Sequence, residues 1–385
     1  MAKNKSFPIF LAFLCMGFGD AVGPFVGLAK VQFSLSNFEA QIIAFMGFIM
    51  FGILSVPMGI FQDRKGKKTV LMLGLILALV GLVIPLFGLS SYGLFLLTIL
   101  LLGAGAAILQ VAGNPIMRDV SPEGKYARNL TLGQFIKAIG SLSGSLIPFA
   151  AAKWFGLDWK ILFPIYSAAL LLTLVIIGLT RIEEKKALDA TPASFSSSLS
   201  LLKNPFIAMM VLGIFLYVGA EVSISSGTPI LLSNKFNIDL QTWGLLGNAF
   251  FFISILIGRF LGSVILNYLQ PKRFLLISAL LSLTGLVLML SPLQNLVILG
   301  ILFTGLGFGN IFPLIFSITV DAMPERSNEI SGLMVTAIVG GAIIPPLMGL
   351  VADNTSVTIG LLVPLAAILY ILYTAFYVSR KIQSA

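Results

Sequence analysis

Long apolar runs alternate with short charged or turn-rich breaks along the whole chain. Each run approaches or exceeds the roughly 20 residues that an α-helix needs to cross the hydrocarbon core of a bilayer. The pattern therefore predicts twelve membrane-spanning helices, at residues 7–31, 39–61, 69–89, 92–117, 127–151, 160–180, 204–228, 242–268, 273–291, 294–319, 331–352 and 357–379.

Composition supports an all-α integral membrane protein. The 385 residues are 58% hydrophobic and only 10% charged, whereas a soluble domain is about 25% charged. Twelve spans with short loops use nearly the whole length, so no separate soluble domain is expected. We also predict no cleavable signal peptide, because the first apolar run is too long and more spans follow it.

One break is longer than the others. Residues 181–203 are charged and then rich in serine, which is typical of a flexible linker. This segment divides the chain into an N-terminal six-helix bundle at 1–180 and a C-terminal six-helix bundle at 204–385. A short motif recurs at the same point of each half, as Asp119–Glu123 (DVSPE) and Asp321–Glu325 (DAMPE), 202 residues apart. We therefore predict a duplicated architecture with its site near the midplane between the halves.

The positions of the charges predict the orientation. With the N-terminus inside, most of the 24 lysines and arginines fall on the cytoplasmic side, as the positive-inside rule requires. The basic residues left on the outer side are Lys30, Lys153, Lys160 and Lys235. We expect a multi-pass protein of the inner or plasma membrane with both termini cytoplasmic, whose basic charge contacts lipid and not nucleic acid.

Residue counts exclude several kinds of chemistry. The chain has no histidine, and its one cysteine, Cys15, lies in the first apolar run. Histidine and cysteine metal sites, histidine bases and disulfides are therefore excluded. No nucleophile–base pair is visible. We expect no metal, no organic cofactor and no enzymatic activity.

The loop after the second predicted span carries the first family resemblance. Residues 59–68 read GIFQDRKGKK, with Gly59, Asp63, Arg64, Gly66 and Lys67 at the defining positions. This loop resembles the signature loop of the major facilitator superfamily, and the resemblance implies its twelve-helix fold. The charges suggest a latch that stabilises one access state by pairing with neighbouring helix ends. The alternative is a basic loop that only sets topology.

Finer motifs resemble one family within that superfamily, the fucose/galactose/glucose:cation symporters. The matching segments are FSLSNF at 33–38, QVAGNP at 110–115, RNLTLGQ at 128–134, YVGAE at 217–221, GRF at 258–260, FPLIFS at 312–317 and GGAIIPP at 340–346. They follow the family order over nearly the whole chain. The resemblance implies secondary active import of a sugar by alternating access, coupled to H⁺ or, as an open alternative, to Na⁺.

Three positions depart from the family pattern. Gln110 stands where the fucose permeases have a glutamate that matters for proton handling, and an amide cannot titrate. The family aspartate of the first span falls on Gly23, while this chain offers Asp20 about one helical turn earlier. An amide position in the fifth span has become Lys137. These departures bear on the coupling mechanism and the particular sugar.

Charged residues inside the spans are the main candidates for coupling, because a charge at the bilayer centre costs about 2.5–3.5 kcal/mol on insertion scales. Asp20 and Lys137 both fall near mid-depth, and the fold that the resemblance implies places their helices side by side. We hypothesise an Asp20–Lys137 ion pair that protonation of Asp20 or an anionic substrate would open. The alternative is a permanent structural pair.

Two polar stripes suggest contacts with a sugar. Tyr217, Glu221, Ser225 and Thr228 share one face of the seventh span, and Glu221 is also a candidate for cation coupling. The second stripe, in the fifth span, consists of Gln134, Lys137, Ser141 and Ser145. Further candidates are Gln110, Asn114, Asn248 and Asn310. Each of these residues has helix–helix hydrogen bonding as its alternative role.

Arg259 in the eighth span is assigned a structural or gating role, and we expect it to pair with Asp321 or Glu325. Three functional alternatives stay open beside the sugar symporter. Lys137 could hold an anionic sugar such as a uronate or sialic acid. The chain could instead export amphipathic compounds, or act as a sugar sensor. We expect a monomer with a small-molecule sugar as its partner.

Overall fold

The structure is a computed structural model that describes residues 7–89, 91–120, 126–182, 184, 199–239, 243–323 and 326–380. Within these ranges the chain is helical, with no β-strand. The first six spans are α1 (Phe7–Asp20 and Val22–Phe33), α2 (Asn37–Lys65), α3 (Lys67–Val83), α4 (Tyr92–Val120), α5 (Tyr126–Phe155) and α6 (Leu162–Leu179). The last six are α7 (Pro205–Phe236), α8 (Trp243–Ile265), α9 (Pro271–Met289), α10 (Gln294–Ala322), α11 (Ser327–Thr336 and Gly340–Asn354) and α12 (Val357–Gly360 and Leu362–Arg380).

The predicted all-α membrane fold is confirmed. Among the described residues, eleven helices are long and apolar enough to cross a bilayer. The remaining span, α8, contributes a shorter apolar stretch at Leu246–Gly262. Arg259 lies inside that stretch, and the residues at 240–242 that precede α8 are not described. Most observed bounds lie within about four residues of the predicted ones. The largest differences are at α7, which continues to Phe236 where 228 was predicted, and at α3, which ends at Val83 where 89 was predicted.

Helix starts follow local capping chemistry. At the start of α2 the Ser36 hydroxyl accepts from the Glu39 amide, while the Ser36 amide donates to the Glu39 carboxylate. This reciprocal pair satisfies two backbone donors that the first turn leaves free. At the start of α7 the Asn204 side chain accepts from the Phe206 amide, and Pro205 occupies the first helical position.

Two six-helix bundles pack side by side. In the first, α1 packs against α4, α5 and α6, and α2 against α4; in the second, α7 packs against α11 and α12, and α9 against α10. Across the bundles, α2 contacts α11, α5 contacts α8, and the second segment of α1 contacts α7. Large apolar side chains such as Phe87, Trp154 and Leu179 are exposed on the outside, as expected of a surface that faces lipid.

The first span has one local irregularity. Ala21 interrupts it between Asp20 and Val22. The segment before Ala21 packs on α4, α5 and α6 of its own bundle. The segment after it packs on α2 and on α7 of the other bundle, and its Phe25 packs on Phe95 of α4 and Phe163 of α6. Gly23 lies so close to α7 that a Cβ there would be 2.0 Å from the Ser225 Oγ.

Some predicted features lie wholly or partly outside the described residues. The predicted linker 181–203 is described only at 181, 182, 184 and 199–203. In the repeated motif, residues 121–125 and 324–325 are not described. The duplication is instead visible in two similar helix crossings, of α1 with α5 and of α7 with α11.

Candidate functional site

A close crossing of α1 and α5 positions the charged centre of the first bundle. A Cβ at Gly17 would lie 2.1 Å from the Lys137 carbonyl oxygen, and one at Gly140 would lie 2.2 Å from the Leu14 carbonyl oxygen. Only glycine allows the two backbones to approach this closely. Asp20 follows Gly17 by three residues and Lys137 precedes Gly140 by three, so the crossing brings both side chains to the same point.

The hypothesised ion pair is present at this crossing. The Lys137 Nζ lies 3.2 Å from the Asp20 Oδ2, and the two side chains are 15% and 29% exposed. The Ser141 hydroxyl donates to the same carboxylate oxygen at 3.1 Å. Lys137 also donates to the Gln110 Oε1 at 3.5 Å. Four polar residues of α1, α4 and α5 therefore form one network whose formal charges cancel.

The second bundle repeats the crossing without the cation. A Cβ at Gly340 of α11 would lie 1.8 Å from the Phe215 carbonyl oxygen of α7, and one at Gly219 would lie 2.3 Å from Ile344. Gly219 follows Gly17 by 202 residues, the same offset as the repeated motif. Glu221 lies two residues after Gly219. The residues that precede Gly340 are Ala337, Ile338 and Val339, so α11 supplies no lysine there.

Glu221 therefore lies in a different environment from Asp20. The charged groups that act on its carboxylate are Arg259 of the neighbouring α8 and, from the other bundle, Asp20 and Lys137. The structure contains no ion pair between Glu221 and a described cation within 4.0 Å. Glu221 therefore lacks the fixed counter-ion that Asp20 has in Lys137.

Arg259 bridges the bundles. Its Nε donates to the Gly309 carbonyl oxygen of α10 at 3.3 Å, and its Nη1 donates to the Gln134 carbonyl oxygen of α5 at 3.5 Å. The side chains of its expected partners, Asp321 and Glu325, lie outside the described residues. The observed contacts join α8 to both α10 and α5.

Several predicted sugar contacts are occupied by neighbouring helices in this conformation. Tyr217 is fully buried, its hydroxyl donates to the Phe308 carbonyl oxygen at 2.8 Å, and its ring packs edge-on against the Phe308 ring. The Asn248 amide donates to the Ser225 carbonyl oxygen at 2.9 Å. The Asn310 amide donates to the Gly258 carbonyl oxygen at 2.9 Å. These side chains hold α7, α8 and α10 together, the alternative role that their sequence positions allowed.

Asn114 differs from Asn248 and Asn310. Its Oδ1 is buried and accepts no hydrogen bond from any described residue. A buried amide oxygen without a donor is uncommon in folded proteins. Asn114 lies one helical turn beyond Gln110 on α4, so the two amides share one face of that helix.

The signature loop contacts its own bundle. Gly66 joins α2 to α3 with φ of 89°, a value that favours glycine. The amides of Lys67 and Lys68 donate to the Glu184 carboxylate at 2.7 and 2.9 Å. Lys67 forms an ion pair with Asp119 at the end of α4. The α2–α3 turn is thereby fixed to α4 and to the residues that follow α6.

The remaining signature positions differ in what surrounds them. Lys68 Nζ donates to the Thr180 carbonyl oxygen at 2.8 Å, at the end of α6. Arg64 is exposed, and a Cβ at Gly59 would meet nothing within 4 Å. The Asp63 side chain lies outside the described residues. The sequence analysis did not predict the role of Glu184. The available signal was that Glu184 is an acidic residue in the charged segment after α6.

Two six-helix bundles related by an internal repeat, with charged residues inside the spans, form an architecture that is common among membrane transporters. The sequence matches the Major Facilitator Superfamily over residues 9–245 and 210–384. The chain belongs to this superfamily.

Curated relatives over most of the chain are named as sugar transporters. The putative glucose/galactose transporter of Helicobacter pylori (strain ATCC 700392 / 26695) is 30% identical, covering 90% of this chain and 89% of its own. A glucose/galactose transporter of Brucella abortus is also 30% identical, with coverage of 90% and 86%. The L-fucose-proton symporter of Escherichia coli K12 is 25% identical, with coverage of 83% and 80%. The resemblance to the fucose/galactose/glucose symporter family is confirmed, and with it the prediction of a transporter and not an enzyme.

A solved structure shows the same fold. The crystal structure of the Escherichia coli fucose:proton symporter in the outward conformation matches with a TM-score of 0.70 and 23% identity, over 98% of this chain and 99% of that chain. The nucleoside transporter NupG matches with a TM-score of 0.74 and 16% identity, over 98% and 99%. At these identities the likeness describes the fold alone.

Proposed function

We propose that the protein imports a hexose or a related neutral sugar across the inner or plasma membrane by alternating access, coupled to cation entry. H⁺ is the favoured cation and Na⁺ the alternative. The sugar part rests on the relatives named for glucose, galactose and L-fucose. The coupling part rests on one observation, the Asp20–Lys137 ion pair inside the membrane-spanning helices.

The ion pair supplies a coupling chemistry. While Asp20 is ionised, Lys137 is neutralised, and the two charges stabilise each other in a medium where either alone is costly. Protonation of Asp20 removes this partner, so Lys137 turns toward other acceptors such as the Gln110 amide oxygen, 3.5 Å away. Protonation of Asp20 would thus strengthen the hydrogen bond from Lys137 to Gln110, which is a candidate for sugar contact.

The sugar is proposed to bind between the bundles. Gln110, Asn114, Gln134 and Lys137 would face it from the first bundle and Glu221 from the second. The unpartnered Asn114 oxygen suits a sugar hydroxyl as donor, and the Glu221 carboxylate can accept from two hydroxyls. Tyr217, Ser225, Asn248 and Asn310 would support these residues through the helix contacts described above.

An anionic sugar is the second candidate, and the structure gives a reason to rank it lower. An anion at Lys137 would compete with Asp20, which already neutralises that lysine at 3.2 Å. A neutral sugar requires no such displacement. Export of amphipathic compounds is ranked lower because the candidate site residues Gln110, Lys137 and Glu221 carry amides or charges.

The proposed cycle uses the domain organisation predicted from the sequence. Bundles 1–180 and 204–385 would rock about the central site while the cytoplasmic linker 181–203 joins them, with both termini cytoplasmic and the protein a monomer. The signature loop residues Gly59, Asp63, Arg64, Gly66 and Lys67 would stabilise one access state, with Arg259 as a gating contact between α8 and α5.

Uptake into proteoliposomes tests this proposal. Purified protein is given labelled glucose, galactose, fucose and one uronate, first with an inward pH gradient without Na⁺ and then with an inward Na⁺ gradient at equal pH. We expect accumulation of a neutral hexose under the pH gradient, and loss of accumulation in Asp20→Asn. Asp158→Asn, an exposed carboxylate outside the spans, is the matched control. Uptake of none of the neutral sugars under either gradient would contradict the proposal.

A further inference from the structure

A carboxylate of one bundle caps a helix of the other at the predicted outer face. The Asp353 Oδ1 accepts from the Asn37 backbone amide at 2.9 Å and from the Asn37 side-chain amide at 2.6 Å. Its Oδ2 accepts from the Phe38 backbone amide at 2.7 Å. Asp353 belongs to α11 and Asn37 begins α2, so all three hydrogen bonds cross between the bundles.

Backbone packing explains why Asp353 reaches this position. A Cβ at Gly349 would lie 2.8 Å from the Asn37 carbonyl oxygen, so α11 passes directly against the start of α2. Asp353 follows Gly349 by one helical turn and projects toward the free amides of the first turn of α2. Amides at a helix start favour an anion, because they lack partners and lie at the positive end of the helix dipole.

A lysine completes the contact. Lys30 Nζ donates to the Asn37 Oδ1, which leaves the other side of that amide to donate to Asp353. One turn deeper, the Ser226 hydroxyl of α7 donates to the Gln41 Oε1 of α2 at 2.8 Å. Ser226 and Gln41 are both buried. The face between the bundles is therefore closed beneath Asp353.

We propose that Asp353 is the gating residue that holds the outer face closed, by capping α2 across the two bundles. The inference rests on the alternating access of the proposed function, but on no property of the sugar or the coupling cation. Opening the outer face must separate α11 from the start of α2, which breaks the three hydrogen bonds to one carboxylate. Hydrogen bonds to an ionised acceptor are about twice as strong as neutral ones.

Cysteine labelling tests the proposal without any transport measurement. The single native cysteine, Cys15, is 2% exposed, and a cysteine introduced by Ser226→Cys reports on the space beneath Asp353. Intact cells are treated with a membrane-impermeant maleimide in the absence of sugar. Asp353→Asn replaces one acceptor oxygen by a donor that faces another donor. We expect it to raise the labelling rate at position 226 by about tenfold or more.

The matched control is Asp158→Asn in the same Ser226→Cys background. Asp158 is also a carboxylate on the predicted outer side, and its ion pair is with Lys160 of its own bundle, so this change should leave the rate unaltered. Should Asp353→Asn fail to reach the membrane, Lys30→Gln gives a second measurement, with a smaller increase expected. An unchanged rate in the variants at Asp353 and Lys30, or an equal increase in Asp158→Asn, would overturn the proposal. Because no sugar is present, this result is independent of whether uptake is observed.

Discussion

Asp20 and Glu221 lie near, but not at, equivalent positions of the two bundles, since they are 201 residues apart and the internal repeat has an offset of 202. Among the described residues only Asp20 has a lysine on the helix that crosses its own. Each follows the glycine at a close crossing, Gly17 in α1 and Gly219 in α7. Lys137 lies 3.2 Å from Asp20, whereas Glu221 is influenced by Arg259 and by the charges of the other bundle. The repeat is therefore symmetric in its backbone and asymmetric in its charge.

This asymmetry predicts different responses to neutralising the two carboxylates. Asp20→Asn leaves Lys137 without its counter-ion, so we expect the free energy of unfolding to fall by about 2 kcal/mol, less than the 3–5 kcal/mol typical of a fully buried pair. The double variant Asp20→Asn/Lys137→Gln should recover most of that loss, because no uncompensated charge remains. Thermal unfolding in detergent measures both. A double variant less stable than Asp20→Asn would contradict the ion-pair assignment.

Glu221→Gln should leave stability nearly unchanged, since no described cation forms an ion pair with Glu221 within 4.0 Å. If Glu221 accepts hydrogen bonds from sugar hydroxyls, losing the charge should weaken binding by about tenfold, the effect of one charge-assisted hydrogen bond of about 1.5 kcal/mol. Equilibrium binding of the transported sugar, measured without a gradient, separates this effect from coupling. A large fall in melting temperature with unaltered affinity would instead indicate a structural role.

The glycine crossing gives a stability prediction. Gly17→Ala places a Cβ 2.1 Å from the Lys137 carbonyl oxygen, and the backbone of α5 can yield only by moving away. We expect a loss of about 1–3 kcal/mol, as for other overpacked cores. Gly332→Ala is the matched control in α11, because its Cβ would meet nothing within 4 Å. Equal melting temperatures for the two variants would show that α1 and α5 are farther apart than described.

Glu184 is predicted to protect the start of α3 from solvent. Its carboxylate accepts from the amides of Lys67 and Lys68, so Glu184→Gln should speed hydrogen exchange at these two amides by about fivefold, the effect of roughly 1 kcal/mol. The start of α2, capped by Ser36 and Glu39, serves as an internal control in the same experiment. Unaltered exchange at residues 67 and 68 would show that Glu184 does not accept hydrogen bonds from these two amides.

Sequence patterns were sufficient for the helices and for part of the site. Apolar runs predicted the spans because each helix must satisfy its own backbone hydrogen bonds in lipid. The Asp20–Lys137 pair could be hypothesised because intramembrane charges require partners. The roles of Tyr217, Asn248 and Asn310 could not be assigned in this way, since a polar stripe does not specify which neighbouring helix its side chains meet.

Apart from the Asp20–Lys137 pair, the contacts between distant chain segments were beyond sequence reasoning. Asp353 and Asn37 are far apart in the chain, and no sequence motif predicts that they are in contact. Their approach depends on the packing of Gly349 against α2, a property of helix shape. Glu184 was missed for the same reason, because only the folded chain brings it to the amides of Lys67 and Lys68.

The second half of the first helix contacts both bundles. Val22–Phe33 packs on α2 and on α7, and its Phe25 packs on Phe95 of α4 and Phe163 of α6. Three residues after Asp20, Gly23 lies so close to α7 that a Cβ would be 2.0 Å from the Ser225 Oγ. Any separation of the bundles at this level must therefore break a contact next to the Asp20–Lys137 pair, which places the candidate coupling charges at the seam between the two halves.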